Sequence, residues 1–512
     1  MKKSLSKLCV RDLMDLAEKM INDDSTFQMS LENLCKHFLN DYLEINVFQS
    51  KFPVVRRAYV EAAGKDGVPR SQSEFYAYIA RLYFHLEKEP RQQLLKSYLG
   101  VSGDLRSIDE QLLFIEAEKK RLNRIKTQNK FLECPDRYYL KQLEHYESKN
   151  QQAKSEIVEF LSGEIRAFSF HKSQRQILPS LRLWEGQLPY RYSSEMWRFT
   201  GMDSYHVQSL TEIPNKFLDF TIPENLDILE MYASDKNEFY GFAERYLSGD
   251  MEGHDSAGER IRQSVEDNHL LNKRREIIAT LLKHYETEDY ISFVNMVPLQ
   301  IEGIFHDICL SVGVEVSRLS ISSINEKLRL LKDELSGNLC FEYYSFKFPV
   351  IRNSVAHGQL FDGNVQHASI MLMLDLLHVC ELTQDENIPL NKSLKLLGFI
   401  KKGGLEYLIE WLEYADVNIP DFYVLSSYRE KALSLYEQDE LWNYIQKEIE
   451  DHSYREDDFK SFAKKLCSKS IARARCRQFF KSLAGKERKR RNVVSQFKTA
   501  LESKKTENGA VD

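Results

Sequence analysis

An arginine, an asparagine and a histidine stand within six residues in the segment "FKFPVIRNSVAHGQLFDG", residues 346–363, as Arg352, Asn353 and His357. Histidine titrates near neutrality and can take up and release a proton during a reaction. A guanidinium is permanently charged and forked, which suits an oxygen on which negative charge develops. Asn353 can orient the imidazole or hold an anionic oxygen. On a helix Asn353 and His357 are one turn apart and share a face. Arg352 lies five residues from His357, roughly 140° around the axis, so its long side chain reaches a face shared with a neighbouring copy more easily than the histidine's own. Gly358 permits a turn or a close approach. The same three side chains can equally cap a helix and tie a bundle together through buried hydrogen bonds.

A second polar group precedes the motif. "IEGIFHD", residues 301–307, supplies Glu302, His306 and Asp307. Glu302 and His306 are one turn apart, a spacing that can bind a metal. No second pair completes a coordination shell, so no metal and no cofactor is assigned, and the three residues are expected to support the motif. Otherwise they are an exposed acid and a satisfied histidine. Ser256 lacks the G-x-S-x-G spacing of a nucleophile and is expected in a loop. Walker A, dinucleotide-binding, H-E-x-x-H and kinase patterns do not occur. The eight cysteines include no C-x-x-C pair, so neither a zinc site nor a disulfide framework is indicated.

The elements that position these residues are expected to be helical. In 512 residues there are only 12 prolines and 21 glycines, and apolar residues recur three and four apart. The fold class expected is mainly α, in several domains: an N-terminal helical domain over 1–165, an irregular or mixed segment over 166–257, a helical bundle over 258–385, and a helical region with a basic tail over 386–512. Ser71 and Ser107 are expected as N-caps, Ser322 or Ser323 as the cap of "SSINEKLRLLKDELSG" with Gly337 as its stop, and Pro349 as the opening of the motif helix. "KFPVVRR" at 51–57 nearly repeats "KFPVIRN" at 347–353, but its histidine position holds Glu61.

Charge is unevenly spread. Residues 464–512 hold 15 Lys or Arg against four Asp or Glu; the chain totals −6, so residues 1–463 carry −17. Lys464, Lys465, Arg473, Arg475, Arg477, Arg488, Lys489, Arg490 and Arg491 give the footprint expected of nucleic-acid contact, or of a solvated face that pairs with acidic surface. The apolar run "IMLMLDLLHVC" holds Asp375 and is expected as a buried helix. Arg11, Asp12 and Asp15 interrupt any signal-peptide core, so no membrane partner and a cytoplasmic location are expected.

Arg352-Asn353-Ser354-Val355-Ala356-His357, followed by Gly358, resembles the R-x(4–6)-H signature of the HEPN superfamily in its R-N-x-x-x-H-G form. The resemblance covers about 280–385, a fifth of the chain. It implies a four-helix bundle that dimerises, bringing two motifs into one cleft. It also implies metal-independent cleavage of RNA, in which the 2′-OH attacks the adjacent phosphate to leave a 2′,3′-cyclic phosphate and a 5′-OH. Toxins and antiviral-defence effectors are among such enzymes. Other HEPN domains are inactive and bind RNA or protein.

Overall fold

With helix breakers scarce, regular structure is helical among the described residues. The computed structural model describes residues 5–65, 67–174, 188–193, 204–319, 323–332, 335, 339–358 and 364–451, and no strand occurs among them. The chain divides into two compact units, residues 1–211 and 212–512.

The first unit contains α1 (Val10–Asn22), α2 (Leu31–Tyr42), α3 (Phe52–Ala63), α4 (Gln72–Phe84), α5 (Pro90–Asn129), α6 (Cys134–Glu159) and α7 (Ile165–Ser173). One core gathers Phe38, Tyr59, Phe75 and Ile79 from α2–α4, and another gathers Val101, Ile108 and Ile157 from α5 and α6. Ser71 caps α4 by accepting from the Glu74 backbone N–H. Ser107, expected as a cap, lies inside α5 instead. Gly100 and Gly103 do not stop that helix, because α5 buries Val101, Ile108 and Ile115 along one side, and such packing outweighs about 1 kcal/mol of propensity per glycine. In the first near-repeat, Arg56 donates to the Val68 and Pro69 carbonyls at 2.8 and 2.9 Å.

The second unit contains α8 (Ile222–Ser234), α9 (Lys236–Ser248), α10 (Ala257–Asp267), α11 (His269–Asn272), α12 (Arg275–Glu286), α13 (Tyr290–Ser311), α14 (Val316–Leu319), α15 (Ile324–Lys332), α16 (Phe348–Ala356), α17 (Val365–Leu382), α18 (Pro389–Lys401), α19 (Glu406–Trp411), α20 (Arg429–Ser434) and α21 (Asp439–Asp451). Helices α8 and α9 lie within 166–257, where prolines and aromatics predicted irregular structure. Thr221 and Glu224 form a capping box at the start of α8, with Pro223 in its first turn; a T-x-P-E start reads as a helix signal, not a break. Ser256 caps α10. Gly337, Ser322 and the basic residues Lys464 to Arg491 lie outside the described residues, while Ser323 accepts from the Glu326 backbone N–H ahead of α15.

Helix α13 is the hub, packing against α12, α15, α16 and α17. Helix α17 is apolar and long enough to span a membrane by composition, but most of it is buried inside the unit. At its centre the Asp375 carboxylate meets the Lys216 ammonium at 2.7 Å, with both side chains 0% exposed. Lys216 also donates to the Glu212 carbonyl and to Asn215 Oδ1, so its three N–H groups are all used. Asp375 accepts further bonds from Asn215 Nδ2 at 2.6 Å and the Tyr343 hydroxyl at 2.8 Å. The Tyr344 hydroxyl accepts from Asn215 and pairs with His378 Nδ1. Burial, with the Asp375 charge adding to it, raises both phenols well above their usual range, which keeps them protonated.

Tyr343 and Tyr344 begin a π-helical turn, Tyr343–Lys347, that runs directly into α16. Pro349 therefore does not open the helix from a loop; helical backbone already precedes it. Proline cannot donate to the carbonyl four residues back. That carbonyl, on Ser345, accepts from Asn325 Nδ2 at 3.0 Å instead. The wider turn and the asparagine together absorb the proline.

Removing one member of the buried pair leaves an uncompensated charge, at a cost of about 3–5 kcal/mol. Lys216→Met and Asp375→Leu should each lower stability to urea by this order, and the double variant should lose less than the two singles summed. Simple additivity would show that the pair is not coupled.

Candidate active site around Arg352 and Glu302

Helix α16 carries Arg352 and Asn353 and ends at Ala356. The His357 N–H closes the last turn onto the Asn353 carbonyl at 3.0 Å, and Gly358 adopts φ +64°, the left-handed stop expected of a glycine after a helix. Asn353 and His357 thus fall one turn apart, but His357 is the capping residue, and its exposed ring makes no hydrogen bond among the described residues.

Arg352 is turned onto α13. Its Nε donates to Glu302 Oε2 at 2.5 Å and its Nη1 to Asn353 Oδ1 at 3.0 Å. The second Glu302 oxygen takes Lys327 Nζ, from α15, at 3.1 Å. One carboxylate, 15% exposed, is therefore shared by two cations, with Lys327 at 9% and Arg352 at 30% exposure. The group keeps a net charge of +1. Arg352 is fixed yet open to water, and no hydrogen bond joins it to His357.

The other two sequence-predicted residues of α13 separate. Asp307 accepts from Arg274 Nε at 2.9 Å, and the same guanidinium donates from Nη1 to Gln300 at 3.0 Å. His306 is half-buried, with no hydrogen bond among the described residues. Both Glu302 oxygens are given to cations, and no three His, Cys, Asp or Glu side chains converge among the described residues.

Sequence reasoning found Glu302 and missed Lys327, Arg274 and the Lys216–Asp375 pair. Lys327 carries a usable signal, because a lysine inside the apolar stripe of "INEKLRLL" must have a buried partner. Comparison with protein-family models, curated proteins and solved structures finds no match to this chain.

The shared carboxylate makes the two substitutions unequal. Glu302→Ala strands Lys327 without a partner and should cost about 1–3 kcal/mol. Arg352→Ala leaves Glu302 paired to Lys327 and should cost no more than about 1 kcal/mol. Urea titration of both variants checks the order; a larger loss for Arg352→Ala would make that residue a structural keystone.

Proposed function

We propose that the chain is a HEPN-type endoribonuclease that cleaves RNA without metal, with α13, α15, α16 and α17 as its HEPN-like bundle. The observation that carries this reading is the fixed, part-exposed Arg352 guanidinium on α16, the helix that the exposed His357 caps. Arg352 contacts the scissile phosphate and offsets the charge that builds on its oxygens. His357 removes the 2′-OH proton; the 2′-oxygen bonds to phosphorus, the bond from phosphorus to the 5′-oxygen breaks, and the leaving oxygen takes a proton from water. The products are a 2′,3′-cyclic phosphate and a 5′-OH. Asn353 orients Arg352 through its side-chain oxygen.

Because Arg352 is held on α13 by Glu302 while His357 is exposed and no hydrogen bond joins the two, a complete site takes Arg352 and His357 from two copies of the chain. A twofold homodimer through this bundle supplies both, and it is the commonest oligomer. The basic tail from Lys464 to Arg491 draws RNA to the cleft, and a cytoplasmic antiviral-defence or toxin effector is the setting that fits. A second reading is a non-catalytic HEPN scaffold that binds RNA or protein; it is favoured by the ion pair that already occupies Arg352 in a single chain.

Purified protein incubated with total RNA in EDTA should cut it and leave cyclic-phosphate ends, and His357→Ala should abolish cutting. Mixed Arg352→Ala and His357→Ala chains should regain part of the activity if the site is shared. Absence of cutting by an intact, dimeric chain supports the scaffold instead; activity lost in EDTA and restored by a divalent metal excludes the mechanism.

A further inference from the structure

Two arginines are held against α13 in the same manner. Arg352 gives Nε to Glu302 and Nη1 to Asn353; Arg274 gives Nε to Asp307 and Nη1 to Gln300. In both, Nη2 has no acceptor among the described residues, although each guanidinium is part-exposed, Arg274 at 21%. At 100° per residue, Glu302 and Asp307 fall on opposite sides of a strip formed by Leu299, Gly303, His306 and Leu310. That strip faces solvent: Leu299 and Leu310 are exposed and His306 is half-buried.

Gly303 is what lets Arg274 lie there. A Cβ at this position would stand 2.7–2.9 Å from the guanidinium Nη1, Nη2 and Cζ atoms. The guanidinium is thus laid against the helix backbone at the edge of the strip. The two acids that hold the arginines are five residues apart, about 7.5 Å along the axis. With Lys327 included, three cations surround two carboxylates, and His306 lies between the two arginines on the helix surface.

We propose that this strip of α13 is a phosphate-binding track for single-stranded RNA, in which Arg274 contacts a phosphate next to the one held by Arg352. The proposal rests on the ribonuclease reading above and extends it beyond the motif. Arg274 is a binding residue, and Asp307 and Gln300 are its positioning residues. His306 faces the backbone between the two phosphates.

The test uses the full chain carrying His357→Ala, to prevent cleavage, and fluorescence anisotropy of a labelled single-stranded oligoribonucleotide over a range of salt. Adding Arg274→Ala should raise Kd about five- to tenfold and reduce the log–log salt slope by about 0.7, the loss of one phosphate contact. Leu299→Glu, at a 42% exposed position on the strip, should weaken binding similarly without touching the core. Leu113→Glu, 67% exposed on α5 of the first unit, controls for net charge and should leave Kd unchanged. If Arg352→Ala weakens binding while Arg274→Ala and Leu299→Glu do not, the track is overturned and the ribonuclease reading stands. If the parent fails to bind RNA even at low salt, both fall. Should Arg274→Ala lose its helical circular dichroism, Leu299→Glu alone decides.

Discussion

A fully buried ammonium and carboxylate, Lys216 and Asp375, set the geometry of the 212–512 unit. Such a pair is tolerated only when every remaining donor and acceptor finds a partner. Meeting that demand draws Asn215, Tyr343 and Tyr344 to one point in the interior. Tyr343 and Tyr344 stand at the head of the π turn, so holding them fixes how the helix behind them is wound. Pro349 follows on that helix, and Asn325 takes up the carbonyl the proline leaves free. Arg352 comes one turn later and is delivered to Glu302 on α13. The exposed chemistry is the far end of a chain of buried requirements.

Glu302 then decides what kind of cation Arg352 is. A carboxylate paired to Arg352 alone would cancel its charge. Shared with Lys327, it orients the guanidinium and leaves one positive charge over. Orientation by hydrogen bonds before a ligand arrives spares the ordering cost on binding. Arg274, on the other side of α13, is likewise oriented by an acid and an amide, Asp307 and Gln300, but no second cation shares its acid among the described residues.

Much of this was legible in the sequence, and the rest fails for definite physical reasons. Helical periodicity predicted the helical character of 1–165 and 258–385, and the turn that Gly358 permits is present. Asp375 in an apolar run predicted a buried helix, which α17 is. Its partner Lys216 lies 159 positions away in a segment of prolines and aromatics, and no local pattern encodes a contact of that range. Pro349 was misjudged because a π turn has no sequence signature that separates it from a helix start. Ser107 was misjudged because cap preference is local, whereas the continuity of α5 depends on what its far side packs against. Glu302 stood out by type and spacing, but spacing alone could not tell a metal ligand from the shared acceptor of two cations.

Arg352, held by Glu302, is proposed to be a phosphate-contacting cation and not merely a strut. Its side-chain Nε–H resonance, observed in protein labelled with 15N-arginine and assigned by its loss in Arg352→Lys, reports on this directly. Titration with an oligonucleotide whose 2′-OH groups are absent, so that it binds without being cut, should shift that resonance in the wild-type chain and should shift it less once Glu302→Gln frees the side chain. A resonance that moves with Glu302→Gln but stays fixed at saturating oligonucleotide would contradict the account and leave Arg352 a structural ion pair.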